Sequence, residues 1–235
     1  MKIKKLIVFI SITLAFNSIA YSQKFIDLSV FGDLKGYVDI NNNSLEEIEG
    51  SSFFNENWLK ATIKITNKDE FIVDSLKYDI YSDNLLFLYK GVEYYISNKK
   101  DIISFTIGNS KFIHYTNNED NTKSFFEILN DDEKLILVKK YNCFIVEGKK
   151  SDGINPGNID RYKITNDYYT IFNNNSAQLF KNKKNNLLEL MSDQKVAIEK
   201  YIYENRLKMK NEDDLVAIFK YYNTIFHKKP LSEIQ

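Results

Sequence analysis

The chain carries a single cysteine, Cys143, so it can form no internal disulfide. Stability has to come from packing. Cys143 lies among apolar residues in Tyr141-Asn142-Cys143-Phe144-Ile145-Val146, which reads as a buried, inert thiol. A catalytic thiol needs a base and surroundings that lower its pKa. The only two histidines, His114 and His227, are distant from it in sequence. They sit in a strand-like run and at a helix end, and both read as structural or solvent-facing. One cysteine and two histidines do not supply an ordinary zinc site. No Gly-x-Ser-x-Gly elbow or glycine-rich phosphate loop occurs, and the eight glycines are scattered. The acidic loops at 117–121 and 130–133 lack the spacing of a calcium loop. No cofactor is implied.

Proline is scarce too, at two residues, which excludes collagen-like and proline-rich linker classes. Charge of one sign is absent: 32 basic residues face 32 acidic ones. Three lysines fall within the first five residues, leaving 29 basic against 32 acidic after them, about −3. A nucleic-acid-binding domain calls for a basic surplus, so nucleic acid is not an expected partner. Long hydrophobic runs are also missing. The longest, residues 6–16, spans about 11 residues, where a membrane helix needs about 20.

That short run has a different use. Lys2, Lys4 and Lys5 precede it, and Asn17-Ser18 breaks it. Ala20 and Ser22 then stand at the spacing of a signal-peptidase site. Residues 1–22 therefore read as a cleavable signal peptide with the cut before Gln23. The expected location is the periplasm or the exterior, with no transmembrane anchor after cleavage.

Aromatic residues are abundant. Sixteen Tyr and 17 Phe against one Trp favour strands. The 27 asparagines, and the near-exclusive use of lysine as the base, suit an AT-rich genome as well as any physical demand. From about 60 to 181 short alternating or apolar runs are separated by polar turns. Ile63 and Ile65 alternate with Thr62 and Lys64, and Lys77-Tyr78-Asp79-Ile80-Tyr81 alternates again. Residues 85–89 and then Val92, Tyr94 and Ile96 flank Lys90-Gly91, a hairpin turn. Runs at 103–107, 112–115, 125–129, 135–141, 144–147, 162–165, 168–172 and 177–180 complete the series.

The period changes near 184. Leu187, Leu188 and Met191 fit a short helix. Ser192-Asp193 opens another to about 205, with Ile198 and Ile202 one turn apart. Asn211 is a good N-cap, followed by Glu212, Asp213 and Asp214 where the helix dipole favours acids. Leu215, Ile218, Phe219, Tyr222, Ile225 and Phe226 form one apolar stripe, and Pro230 stops the helix. Such a stripe could lie on a membrane or grip a partner, but more often packs on its own domain's sheet, and the acidic start of this helix does not suit a membrane surface.

The expected fold is β-dominated α+β: an antiparallel meander of roughly 9 to 12 strands, curled into a sheet or roll, then two or three C-terminal helices. The segments are 1–22 (signal peptide), 23–181 (antiparallel β domain) and 182–235 (helical segment packed on the sheet or extending from it). Asn41-Asn42-Asn43-Ser44 reads as loop.

Several motifs carry a resemblance. Gly50-Ser51-Ser52-Phe53-Phe54-Asn55-Glu56-Asn57-Trp58 and Leu76-Lys77-Tyr78-Asp79-Ile80-Tyr81-Ser82-Asp83 are two of them. Phe125-Phe126-Glu127-Ile128-Leu129 with Leu135 and Lys139-Lys140-Tyr141 is a third, and the paired-helix tail with Tyr221-Tyr222-Asn223 a fourth. Over about 50–225 the chain resembles an uncharacterised group of exported proteins of Bacteroidota, flavobacterial in type. The resemblance implies a compartment and an architecture, and no mechanism.

One strand suggests a binding face. Alternation through Tyr78-Asp79-Ile80-Tyr81-Ser82-Asp83 would put Asp79, Tyr81 and Asp83 on one side. A ring beside carboxylates can hold a sugar or a peptide. Trp58 is a further candidate platform. Three functions follow as expectations. The first is a non-enzymatic interaction module for an envelope protein, glycan or lipid. The second is a carrier of an apolar ligand inside a curled sheet. The third is a hydrolase on envelope polymers, which would need a pocket with paired carboxylates.

Overall fold

The structure is a computed structural model, and it describes residues 35–36, 48–67, 70–96, 99–130, 134–149, 157–173 and 176–226. The signal peptide and its cut before Gln23, the loop at 41–44, residues 131–133, Pro156, His227 and the helix stop at Pro230 lie outside the described residues.

Eleven strands form one sheet among the described residues. They are β1 (Lys35–Gly36), β2 (Leu59–Ile65), β3 (Glu70–Asp79), β4 (Asn84–Tyr89), β5 (Val92–Tyr95) and β6 (Ile102–Ile107). Then come β7 (Ser110–Thr116), β8 (Lys123–Ile128), β9 (Leu135–Val146), β10 (Arg161–Phe172) and β11 (Gln178–Phe180). The order β1-β5-β4-β3-β2-β6-β7-β8-β9-β10-β11 is two antiparallel meanders, β2–β5 and β6–β11, joined where β6 returns beside β2. The β4–β5 turn places Lys90 at φ 51 and Gly91 at φ 78. Paired positive φ angles are the turn geometry that matches strand twist. Three α-helices follow among the described residues: α1 (Lys184–Leu190), α2 (Lys195–Glu204) and α3 (Glu212–Phe226). The chain is thus a β-dominated α+β fold with an antiparallel meander and C-terminal helices.

The sheet is open but strongly curled. Residues 49–54 reach from β10 to β3, which stand six places apart in the ladder. Tyr162 donates its N–H to the Glu49 carbonyl at 2.9 Å, and Phe54 donates to the Tyr78 carbonyl at 2.9 Å. Inside the curl, Tyr78, Phe105, Phe112 and Phe125 are buried and meet ring to ring, with centroids 4.7–5.7 Å apart. Such contacts add to the gain from burial. Phe54 enters this core and touches Phe112 and Tyr141.

The helices cover the same sheet face further along. Leu215, Ile218, Phe219 and Tyr222 of α3 are buried against Leu135, Leu137 and Phe180. The apolar stripe therefore packs on the chain's own sheet, at about 1.5–3 kcal/mol per fully buried side chain. Asn211 caps α3 as expected, its Oδ1 accepting the Asp214 N–H at 3.0 Å. The expected helix start at Ser192 is instead a separate 3-10 turn, Ser192–Gln194, before α2. A third cluster, with Phe126, Val138, Tyr169, Ile171 and Ala177, lies on the opposite face of β8–β10.

Two differences from the sequence reading concern β9 and β10. The runs 135–141 and 144–147 are parts of one strand, and so are 162–165 and 168–172. These two strands pair residue for residue, from Arg161 opposite Val146 to Phe172 opposite Leu135. The polar residues that looked like breaks lie inside this ladder, Asn142 opposite Thr165 and Asp167 opposite Lys140, and bond diagonally across it. Asn142 Nδ2 donates to Asp167 Oδ2 at 2.9 Å.

Candidate functional site

The sequence-predicted face at 79–83 is not formed. β3 ends at Asp79, and residues 80–83 make a turn, with Asp83 at φ 49. Alternation stops where the strand stops. Asp79 is buried and shapes the turn by accepting the Tyr81 N–H and the Ser82 hydroxyl. Asp83 accepts from the Tyr78 hydroxyl at 2.8 Å and from Lys99 Nζ at 2.8 Å. Burial and the neighbouring Asp83 together hold the Tyr78 phenol well above its ordinary pKa. Only Tyr81 is open, at 52% exposure, with its ring 5.6 Å from that of Tyr162 on β10. Trp58 is half-buried and elsewhere: Lys77 Nζ stands 4.7 Å from its ring and 4.8 Å from that of Phe53. This cation–π sandwich fixes the start of β2 against β3.

A polar cluster that the sequence did not single out joins the sheet to α3. Lys139 on β9 has a side chain only 11% exposed and lies between two carboxylates. Its Nζ is 3.1 Å from Glu127 Oε2 and 2.9 Å from Glu212 Oε1. Glu127 on β8 also accepts from Tyr141 at 2.6 Å and from Ser110 at 2.5 Å. Glu212, in the first turn of α3, accepts from Tyr168 at 2.9 Å. Burial alone would lower the Lys139 pKa. Hydrogen bonds with Tyr141 and Glu212 and the charge of Glu127 reverse that, so it stands above the ordinary lysine range. Burial and the bond to Glu127 likewise raise Tyr141, and burial with the bond to Glu212 pushes Tyr168 up to about 12. Every carboxylate in the cluster is engaged. Its chemistry is that of a clamp between sheet and helix.

Beyond this clamp the β9–β10 hairpin changes character. From Lys163 to Asp167 the residues of β10 are exposed. Phe144 is 43% exposed, Ile164 40% and Ile159 51%. β11 pairs with β10 only at Tyr168, Tyr169 and Thr170, and Glu49 bridges it only at Arg161. Between these points no strand of the described residues pairs with the outer side of β10. Cys143 lies opposite Ile164 and is half-buried, less enclosed than its apolar neighbours suggested, and burial pushes its thiol up to about 11. At the base of the hairpin, Glu49, Val146, Gly148, Asn158, Ile159 and Arg161 line a cleft of about 560 Å³.

His114 on β7 is half-buried. Its Nδ1 lies 3.1 Å from the Ile102 carbonyl and its Nε2 is buried with no hydrogen-bond partner among the described residues. Burial lowers its pKa. Among the described residues no group of three or more His, Cys, Asp and Glu side chains is arranged to hold a metal ion. Among them, too, no helix is long and apolar enough to cross a membrane. No protein-family model matches the chain, and no curated protein or solved structure matches it either.

Proposed function

We propose that this chain is an exported, non-enzymatic binding module of the cell envelope, and that the outer half of the β9–β10 hairpin is its binding face. The observation that carries this reading is the contrast along one rigid ladder. From Leu135 to Lys139, β9 is anchored by helices and by the clamp. Past Tyr141, the same two strands present Phe144, Ile164 and a row of exposed polar residues. Exposed apolar side chains on a fixed backbone give affinity at low ordering cost. The ring-filled interior of the curl leaves the carrier reading without a comparable observation in its favour. Export through the N-terminal signal and kinship with exported Bacteroidota proteins belong to the same proposal.

The test places a photo-crosslinking amino acid at Phe144 in the exporting host, with Lys60 on the exposed side of β2 as the control. A discrete adduct at Phe144 that is absent at Lys60 is the expected result. No adduct, or the same adducts at both positions, refutes the binding face. The mass of the recovered chain tests export: a start at Gln23 is expected, and an uncut chain refutes it.

A further inference from the structure

The stretch of β10 whose outer side pairs with no strand of the described residues has a definite chemistry. The Tyr162 N–H turns away from β9, to the Glu49 carbonyl. In an antiparallel ladder alternate residues turn the same way. Ile164 and Asn166 therefore direct their N–H and C=O groups outward, into the unpaired gap. The gap is bounded by Glu49 at Arg161 and by Phe180 of β11 at Tyr168. With the Tyr162 N–H taken by Glu49, the five residues left before Tyr168, 163–167, span about 17 Å. On one face of the gap stand Ile164 and Asn166. On the other stand Lys163, Thr165 and Asp167, a cation and an anion at opposite ends. Both charged residues are exposed: Lys163 lies 5.7 Å over the Phe144 ring, and Asp167 accepts from Asn142.

We propose that this gap takes a short extended segment of a partner protein by strand addition. The segment runs antiparallel to β10, with an acidic residue opposite Lys163 and a basic one opposite Asp167. This rests on the binding-module reading and names the partner's form. Two arguments carry it. Residues directly opposite in an antiparallel pair interact side chain to side chain, so the bipolar pair selects the complementary order of charges and fixes the register. The bounded length selects against a long strand. Pairing with the β10 of a second copy is excluded on that ground, since that strand would carry Glu49 and β11 into the same gap. A short loop or terminal segment can enter and leave the plane of the sheet.

The probe is a fluorescein-labelled heptapeptide, Ser-Lys-Val-Thr-Val-Glu-Ser, titrated with the full exported chain and read by anisotropy. Saturable binding below about 1 mM is expected. Three controls accompany it. Ile164→Pro removes an outward N–H while leaving the β9 ladder its own bonds, and should weaken binding at least tenfold. Exchanging Lys and Glu in the peptide should weaken it at least threefold. N-methylating the peptide residue opposite Ile164 should abolish it, which holds even if the proline variant folds poorly. No saturable binding, equal binding of both charge orders, or indifference to N-methylation overturns strand addition. A Phe144 adduct that persists in the face of those results would leave the binding module standing and this mode of docking refuted.

Discussion

Replacing Lys139 by Met tests the clamp most directly. The substitution keeps the length and apolar stem of the side chain and removes its charge. Glu127, with a side chain 11% exposed, is then left with no opposite charge in contact. Tyr141 and Ser110 still donate to it, but they are neutral. Removing one partner of a buried pair costs about 3–5 kcal/mol, because the remaining charge is stranded. Slight solvent access and the two surviving hydrogen bonds place Lys139→Met near the lower end, at about 3 kcal/mol. For a chain of this size that lowers the thermal midpoint by about 6–12 °C. Glu212→Gln is the milder change, because Glu212 is 38% exposed and its charge is already partly hydrated. Its cost is about 1 kcal/mol or less.

The double variant Glu127→Gln/Lys139→Met decides the cause. It removes both charges, and the Gln carbonyl still accepts from Tyr141 or Ser110. It should recover about half of the Lys139→Met loss, about 1.5 kcal/mol, and Glu127→Gln measured alone closes the cycle that gives the coupling. Urea unfolding followed by tryptophan fluorescence and by far-UV circular dichroism gives the energies, and agreement between the two supports two-state behaviour. If Lys139→Met costs under about 1 kcal/mol, or the double variant is no more stable than the single one, stranded charge is not what the clamp prevents.

His114 should make stability depend on pH. Burial holds its folded pKa below the unfolded one, so the unfolded chain takes up the proton first as pH falls. Stability contributed by neutral His114 is complete above the unfolded pKa of about 6.5 and drains away below it, with a slope of at most about 1.4 kcal/mol per pH unit. The bond to the Ile102 carbonyl and the charge of Asp83 oppose this shift, while Lys99 and Lys123 add to it; His114→Gln should flatten the slope in urea titrations between about pH 7 and 5.5, and an unchanged slope refutes the assignment. Gly148→Ala should cost about 1–3 kcal/mol, since an added Cβ would run into the Asn158 carbonyl oxygen; an unshifted melting curve would show that the hairpin base yields freely. Asn223→Ala strips the Leu135 N–H of its acceptor, at about 1–3 kcal/mol. The Leu135 carbonyl keeps Asn130 as a donor, so a loss above that range would point to a wider detachment of α3.

Legibility in the sequence followed the range of the interactions. Most of the strands, the Lys90-Gly91 turn and the α3 stripe are written in neighbours two to four residues apart, and these formed where their patterns lay. Interruptions were harder. Asn142 and Asp167 looked like breaks because their partners are each other, 25 residues apart, and only the paired strands make them continuous. At Asp79 the error ran the other way. The alternating pattern continued in the text after the backbone had turned, because a carboxylate that caps a turn and one that faces solvent read alike.

The clamp was illegible for a stronger reason. Lys139 and Glu212 are 73 residues apart, and nothing near either marks it out from the other lysines and acids. What selects them is the curl of the sheet, which brings β8, β9 and β10 beneath the first turn of α3. A charge at position 212 already suits the helix dipole, so the sequence explained Glu212 locally and left its second partner unseen. The two roles reinforce each other: an acid placed to favour the helix start also fixes that start to the sheet. This gives the hairpin a fixed root at Lys139. Residues 163–167 of the partner strand have no such clamp among the described residues, and this contrast is what the proposed binding face rests on.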